Sequence, residues 1–376
     1  MPLQAPPRDT RLDLIRGWLQ LQIFASHAHG SFIGAWFITA AWGLSDSSEQ
    51  FVFLSGFGLG SLFVLKADRG GLRGAVRDLL PRIGRLHVTH LIVFCGFAAM
   101  VIATELALRV PGEAAAMGWG WLLREPWLAL PAAATLLYQP QYMDILPVFI
   151  WCMLLLPPLM WGMDRAGAWA LLPAAAVYAG VQAWGWHLPG LGGTEIGLNP
   201  LAWQVLFVLG AWFGRQALLH GRAIGRHPLL LGAAALVLAF GLWVRLVGHG
   251  IIGGPELDFE FIMGKQDLAF PRVLHALALA YVVVALVPPR AMRLPGRVLP
   301  ALAATGRNSL NVFCVGLFFS YGIAKLLCAH PAAAAWLDLP LIAGGAVALM
   351  ALAVAAEHRR PKPQQVPRRP DAASGG

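Results

Sequence analysis

Charged residues are scarce in this sequence. Asp, Glu, Lys and Arg make up 12% of its 376 residues, about half the share of a soluble domain, which excludes a water-soluble globular protein of this size. Acid is the scarcer sign, 19 residues against 28 basic ones, for a net charge of +9. Such an excess can mark a nucleic-acid binder, but membrane chains collect Lys and Arg in cytoplasmic connections for topological reasons, and nucleic acid is set aside as a partner. Cysteine is rare too. Cys95, Cys152, Cys314 and Cys328 lie in or beside apolar runs without C-x-x-C spacing, so neither a disulfide framework nor a zinc site is indicated. Most histidines scatter without the spacing of ligands, and no metal is expected. No internal repeat, appended soluble domain or cleavable signal is apparent. The first apolar run follows basic residues as a signal peptide would, but Gln20, Gln22, Ser26 and His27 interrupt it, which predicts a retained helix.

What fills the chain instead is apolar: 58% hydrophobic residues and a mean hydropathy of +0.63. These values predict an all-α polytopic membrane protein. Its 15 tryptophans suit interfacial belts, where an apolar ring with one polar N–H is at home. Runs of about 20 residues, enough to cross a bilayer, fall near 12–31, 48–65, 86–108, 143–162, 167–186, 200–219, 228–248, 271–289, 308–327 and 338–356. That makes about ten transmembrane helices. Basic residues crowd alternate connections, among them Arg8, Arg11, Lys66, Arg69, Arg73, Arg77, Arg82, Arg85, Arg165, Arg215, Arg222, Arg226, Arg290, Arg293 and Arg297, whereas the opposite side has little more than Arg109, Arg124, Lys265 and Arg272. This bias places both termini in the cytoplasm. Residues 1–356 form one membrane domain in this reading, and 357–376, rich in Pro, Arg and Gln and then Ser and Gly, form a disordered basic tail. The broken apolar stretch 110–142 either lies in the interface or folds back as a re-entrant segment.

Polar residues inside apolar runs are the candidates for function. Arg16 and His27 share the first run, and eleven residues of helix put them on nearly the same face about 16 Å apart, comparable to an extended pantetheine arm. A headgroup anchor and a satisfied core histidine are the plainer readings of the two. Asp46 and Glu49 have the spacing of a capping box. The glycines of the stretch Ser55–Gly60 serve close helix packing rather than a ligand. Arg82 and Arg85 stand on adjacent turns, suited to gripping phosphates or simply to anchoring. Tyr142 and Asp144 mark the mouth of the fourth span; Asp144 needs a partner or caps the helix. Asn199 and Thr305 read as caps. Gln204, His275 and Asn311 are either site residues or links between helices. The acids Glu195, Glu256, Asp258, Glu260 and Asp267 of two further outer connections line an acceptor entrance or simply face solvent.

Several of these motifs are familiar. Arg11-Leu-Asp-Leu-Ile-Arg-Gly17 followed by His27 resembles the D-x-x-R-G and R-x10-H signature of the acyltransferase-3 superfamily, and Arg82-x-x-Arg85 its R-x-x-R element. Within it, Ser45-Asp-Ser-Ser-Glu-Gln-Phe-Val-Phe-Leu-Ser-Gly56, Gln139-Pro-Gln-Tyr-Met-Asp-Ile-Leu-Pro147, Asn199-Pro-Leu-Ala-Trp-Gln204 and Gly306-Arg-Asn-Ser-Leu-Asn-Val-Phe-Cys314 resemble the OpgC family, associated with succinylation of osmoregulated periplasmic glucans. The resemblance spans roughly 8–330. It implies a multi-pass protein of the bacterial inner membrane with an acyl-CoA donor, succinyl-CoA foremost, on the cytosolic side and a carbohydrate hydroxyl outside. One departure is Ser26 before His27, where the glucan enzymes lead one to expect Asp.

On that resemblance His27 is the expected general base, since neutral imidazole suits proton removal near pH 7. A covalent acyl-imidazole in a two-step route is the alternative. Arg16, catalytic together with His27, also joins Arg82 and Arg85 in holding the CoA phosphates. Asp46, Glu49, Tyr142, Asp144, Gln204 and His275 are expected to face the acceptor, and Asp13 to orient Arg16 or Arg11. The competing functions are acetyl transfer to another envelope glycan, and a transporter or flippase of a sugar-linked substrate, which should show repeated halves.

Overall fold

The computed structural model of the protein describes residues 3, 4, 6, 8–194, 196–287 and 296–359. Glu195, Arg290, Arg293 and the tail from 360 onward lie outside them. Among the described residues the chain is helical, with no β-strand.

The first helix, α1 (Thr10–Ser26), starts where the Asp9 side chain accepts a hydrogen bond from the Arg11 amide, which satisfies one of the orphan donors of a helix start. A short α2 (Phe32–Trp36) follows. It is fastened by Asp338, whose carboxylate accepts from Ser31 Oγ at 2.5 Å and from the Ile33 amide at 2.9 Å. Next comes α3 (Ser47–Leu108), with the expected capping box of Asp46 and Glu49. Residues 66–85 are therefore not the connecting loop that their charge suggests. They are helical, with one sharp break at Gly71, whose φ of +67° a residue with a side chain rarely adopts. Lys66 Nζ lies 2.5 Å from Asp78 Oδ2, although twelve residues of straight helix would separate them by about 18 Å. The helix thus doubles back on itself, and its basic residues lie at the turn.

Residues 110–142 fold back against the protein in short pieces, including α4 (Gly120–Arg124) and α5 (Pro126–Ala134). Trp119, Ala129, Ala133 and Tyr138 from this stretch are buried in the main core, so it packs against the helices rather than standing away from them. The chain continues through α6 (Ile145–Ala166), α7 (Leu172–Trp184), α8 (Pro200–His220), α9 (Pro228–Gly248) and the short α10 (Phe259–Met263). It ends with α11 (Phe270–Leu286), α12 (Val298–Arg307), α13 (Ser309–Ala329) and α14 (Pro331–His358). Proline opens α8, α9 and α14, where its missing N–H costs nothing. Asn199 caps α8 as expected. Thr305 caps nothing: it lies within α12, and its hydroxyl donates to the Ala301 carbonyl.

Small residues set the closest approaches. A Cβ on Gly56 or Gly60 of α3 would collide with the backbone of Phe207 or Ala211 of α8, and one on Gly210 or Gly214 would collide with that of Phe53 or Phe57. Two glycine pairs at four-residue spacing face each other, the arrangement that lets helices associate where lipid offers no hydrophobic drive. Gly17 of α1 and Gly306 of α12 do the same against Leu302 and Asp13. Five helical stretches among the described residues are long and apolar enough to cross a membrane: Ser47–Leu108, Ile145–Trp184, Pro228–Gly248, Ser309–Ala329 and Pro331–His358. On α9 and α14 the outward faces carry Leu229, Leu236, Phe240, Trp336, Leu339 and Val347, a surface suited to lipid and costly in water. Not every Trp lies at an interface, since Trp119 and Trp203 are fully buried.

Candidate active site

The site is built along α1. That helix is unbroken from Thr10 to Ser26, and His27 terminates it at φ −86° and ψ −7°, so Arg16 and His27 keep the helical relation that their spacing predicts. They lie about 16 Å apart along the axis and about 20° apart around it. Arg16 is half-buried and donates from Nη2 to the Leu54 carbonyl of α3 at 2.9 Å. Its guanidinium lies over Gly58, where a Cβ would meet Nη2 at 2.7 Å.

At the other end, His27 Nδ1 is 2.7 Å from the Ile23 carbonyl. A carbonyl only accepts, so Nδ1 carries the hydrogen, and the neutral ring presents Nε2 as the basic nitrogen. The backbone thereby orients the imidazole without the neighbouring Asp that the family resemblance leads one to expect; Ser26 Oγ adds a contact at 3.3 Å. Tyr142 closes over the ring with centroids 5.2 Å apart, and its hydroxyl donates to the His27 carbonyl at 3.1 Å. Tyr142 holds a left-handed backbone, φ +73°, a strain that the surroundings must enforce. Phe97 stacks behind it at 5.0 Å and also meets Trp119 and Tyr321. Tyr321 in turn donates to Glu113 at 3.0 Å, and Lys325 forms an ion pair with the same carboxylate.

Beside His27 stands a charge cluster joined across more than two hundred residues. Lys265 Nζ is 2.7 Å from Asp46 Oδ2 and 3.4 Å from Ser48 Oγ. Arg272 donates from Nε to Glu49 Oε1 at 2.6 Å, pairs with it again through Nη2, and lies 3.6 Å from Asp46. Glu49 is fully enclosed, and a buried carboxylate needs such a partner. Lys265 and Asp144 lie close enough for their charges to act on His27 and on each other. Asp144 occupies the N-cap position before α6, but its side chain makes no capping hydrogen bond. Arg16 is not its partner.

Of the residues singled out in the sequence, His27, Asp46, Glu49, Tyr142 and Asp144 are brought to one region, with Arg16 at the far end of the same helix face. Gln204 and His275 are engaged elsewhere. Gln204 donates to the Ala174 and Leu201 carbonyls, tying α7 to α8. His275 bonds Ser45 Oγ through Nδ1 at 2.8 Å and packs against Gly43 and Gly241. Arg82 and Arg85 lie exposed on the returning limb of α3. Asp13 does not hydrogen-bond Arg16 or Arg11: it accepts two bonds from Arg8, at 2.7 and 3.0 Å, and lies 3.7 Å from Arg307, while Arg11 pairs with Asp9. Sequence reasoning missed Lys265 and Arg272. The signal available was that they are two of the very few cations opposite the basic side, and cations there need carboxylates.

No curated protein and no solved structure matches the chain. A family model described as OpgC protein matches residues 8–361, nearly the whole length and all of the elements described above. The chain belongs to the OpgC family, membrane transferases that modify glucans.

Proposed function

We propose that this protein is an O-acyltransferase that moves an acyl group, succinyl foremost, from cytosolic acyl-CoA to a hydroxyl of a periplasmic glucan across the bacterial inner membrane. About ten spans with both termini cytoplasmic would set Arg16 towards the cytosol and His27 towards the outside, in keeping with the basic bias of the connections. The observation that carries the reading is the single face of α1, with a cation at one end and a base at the other, a pantetheine length apart.

Arg16 takes a CoA phosphate as a charge-assisted pair, with Arg82 and Arg85 adding charge at the entrance. The thioester reaches His27. Its Nε2 removes the proton of the glucan hydroxyl as that oxygen bonds to the thioester carbonyl carbon. When the carbon–sulfur bond breaks, the imidazolium returns the proton to the thiolate; the products are the glucan ester and free CoA. Tyr142 holds the His27 backbone in place. Lys265 has three donors, two of them directed at Asp46 and Ser48, and the third offers a charged contact to a dicarboxylic acyl group. Asp46, Asp144 and Glu49 frame the acceptor side.

Mass spectrometry of periplasmic and envelope glycans tests this reading in cells that carry the wild type, His27→Ala or no gene. A succinyl increment present only with the wild type is expected. Identical glycans in all three would overturn it.

A further inference from the structure

Two glutamines lie buried on α1, Gln20 and Gln22. Gln20 is 1% exposed, and neither its Oε1 nor its Nε2 has a hydrogen-bond partner. Buried amides are normally satisfied, and the other glutamine of the helix is at least half satisfied: Gln22 Oε1 accepts from the Thr39 amide and hydroxyl at 2.8 and 2.7 Å, although its Nε2 has no partner. The two differ in direction. Gln22 points about 160° away around the helix, whereas Arg16, Gln20 and His27 fall within an arc of about 40°. Gln20 thus stands in the stripe joining the two ends of the site, about 6 Å along the axis from Arg16 and about 10 Å from His27.

Resting on the acyl-CoA reading above, we infer that Gln20 binds the phosphate-proximal amide of the donor's pantetheine arm. The arm contains two secondary amides, each with one N–H and one carbonyl, and the side chain of glutamine offers the complementary acceptor and donor. With its phosphate at Arg16 and its thioester at His27, an extended arm carries the first amide roughly 6 Å beyond the phosphate by standard bond lengths. That is the level of Gln20. The second amide lies nearer to His27. An arm without the first amide leaves Gln20 with nothing to bind.

The test compares wild type and Gln20→Leu, purified in detergent, for succinyl transfer to a gluco-oligosaccharide from two donors. These are succinyl-CoA and the succinyl thioester of N-acetylcysteamine, which retains only the sulfur-proximal amide. The variant is expected to raise KM for succinyl-CoA about five- to tenfold, the worth of one or two hydrogen bonds, and to leave KM for the short donor unchanged. Its thermal unfolding midpoint should equal or exceed that of the wild type, because an apolar side chain of similar volume removes two unpaired groups from the interior. Gln20→Met serves as a second apolar variant with the same expectation. An unchanged KM for succinyl-CoA overturns the assignment, as does an equal loss with both donors, which would make Gln20 structural. Wild-type protein inactive with both donors would instead overturn the acyl-CoA reading and this inference with it.

Discussion

The two ends of the site handle charge in opposite ways. At the Arg16 end the three guanidinium groups assigned to the phosphate are only lightly engaged: Arg16 has a backbone carbonyl at 2.9 Å, and Arg82 and Arg85 are exposed, whereas Arg8, Arg11 and Arg307 are paired with Asp13, Asp9 and Glu357. At the His27 end the cations are committed: Arg272 to Glu49, and Lys265 to Asp46. Uncommitted guanidinium groups can take up a phosphate at little reorganisation cost. The buried Arg272–Glu49 pair, by contrast, is held by the need to keep each charge matched, and the partly exposed Lys265 is held to Asp46 more loosely. On the proposed reading, the Arg16 end receives the phosphates of the donor, and the His27 end keeps a fixed frame around the imidazole that leaves one Lys265 donor for the acyl carboxylate.

The largest effect that sharpens this contrast is on chemistry. His27→Ala should lower kcat by about 10²–10⁴, the range of general base catalysis, with the folded protein retained in size-exclusion chromatography; transfer at the wild-type rate would remove the base from the account. Next is Arg272→Met, which strands the enclosed Glu49. It should destabilise the protein by about 3–5 kcal/mol, seen as a lowered thermal midpoint in detergent, whereas Arg272→Met with Glu49→Leu should recover most of that loss. Arg16→Ala should leave stability nearly unchanged and raise KM for acyl-CoA, by about tenfold for one charge-assisted contact of about 1.5 kcal/mol. A collapse of folding in Arg16→Ala would erase the distinction between the ends. Lys265→Met should shift the succinyl-to-acetyl preference towards acetyl by a similar or smaller factor, measured by competition between the two donors. The double variant Arg82→Gln, Arg85→Gln should act least, about two- to fivefold on KM, and less still at high salt, which screens exposed charges.

Much of this was legible in the residues. The α1 stripe follows from helix period alone, and the Asp46–Glu49 capping box, the Asn199 cap and the packing role of Gly56 and Gly60 are local chemistry that the sequence states directly. The Lys265–Asp46 and Arg272–Glu49 pairs are not local. They join residues 219 and 223 positions apart, and no periodicity reports such a meeting. Residues 66–85 misled because charge density looks the same in a loop and in an exposed amphipathic helix; only the buried Ala75 and Leu79 reveal the packed face. Gln204 and His275 are polar residues in apolar runs whose partners come from other elements: Gln204 Nε2 donates to the Ala174 and Leu201 carbonyls, with Oε1 left unpartnered, and His275 bonds the Ser45 hydroxyl. Thr305 misled because a Thr hydroxyl can also bond back to the carbonyl four residues earlier inside a helix, as it does to Ala301.

The division of labour between the two ends is tested most directly in proteoliposomes of uniformly oriented protein, with labelled succinyl-CoA and a gluco-oligosaccharide supplied to chosen faces. The account predicts transfer only with the donor on the face of the Arg16 end and the acceptor on the face of the His27 end. Equal transfer with both substrates on one face would contradict it.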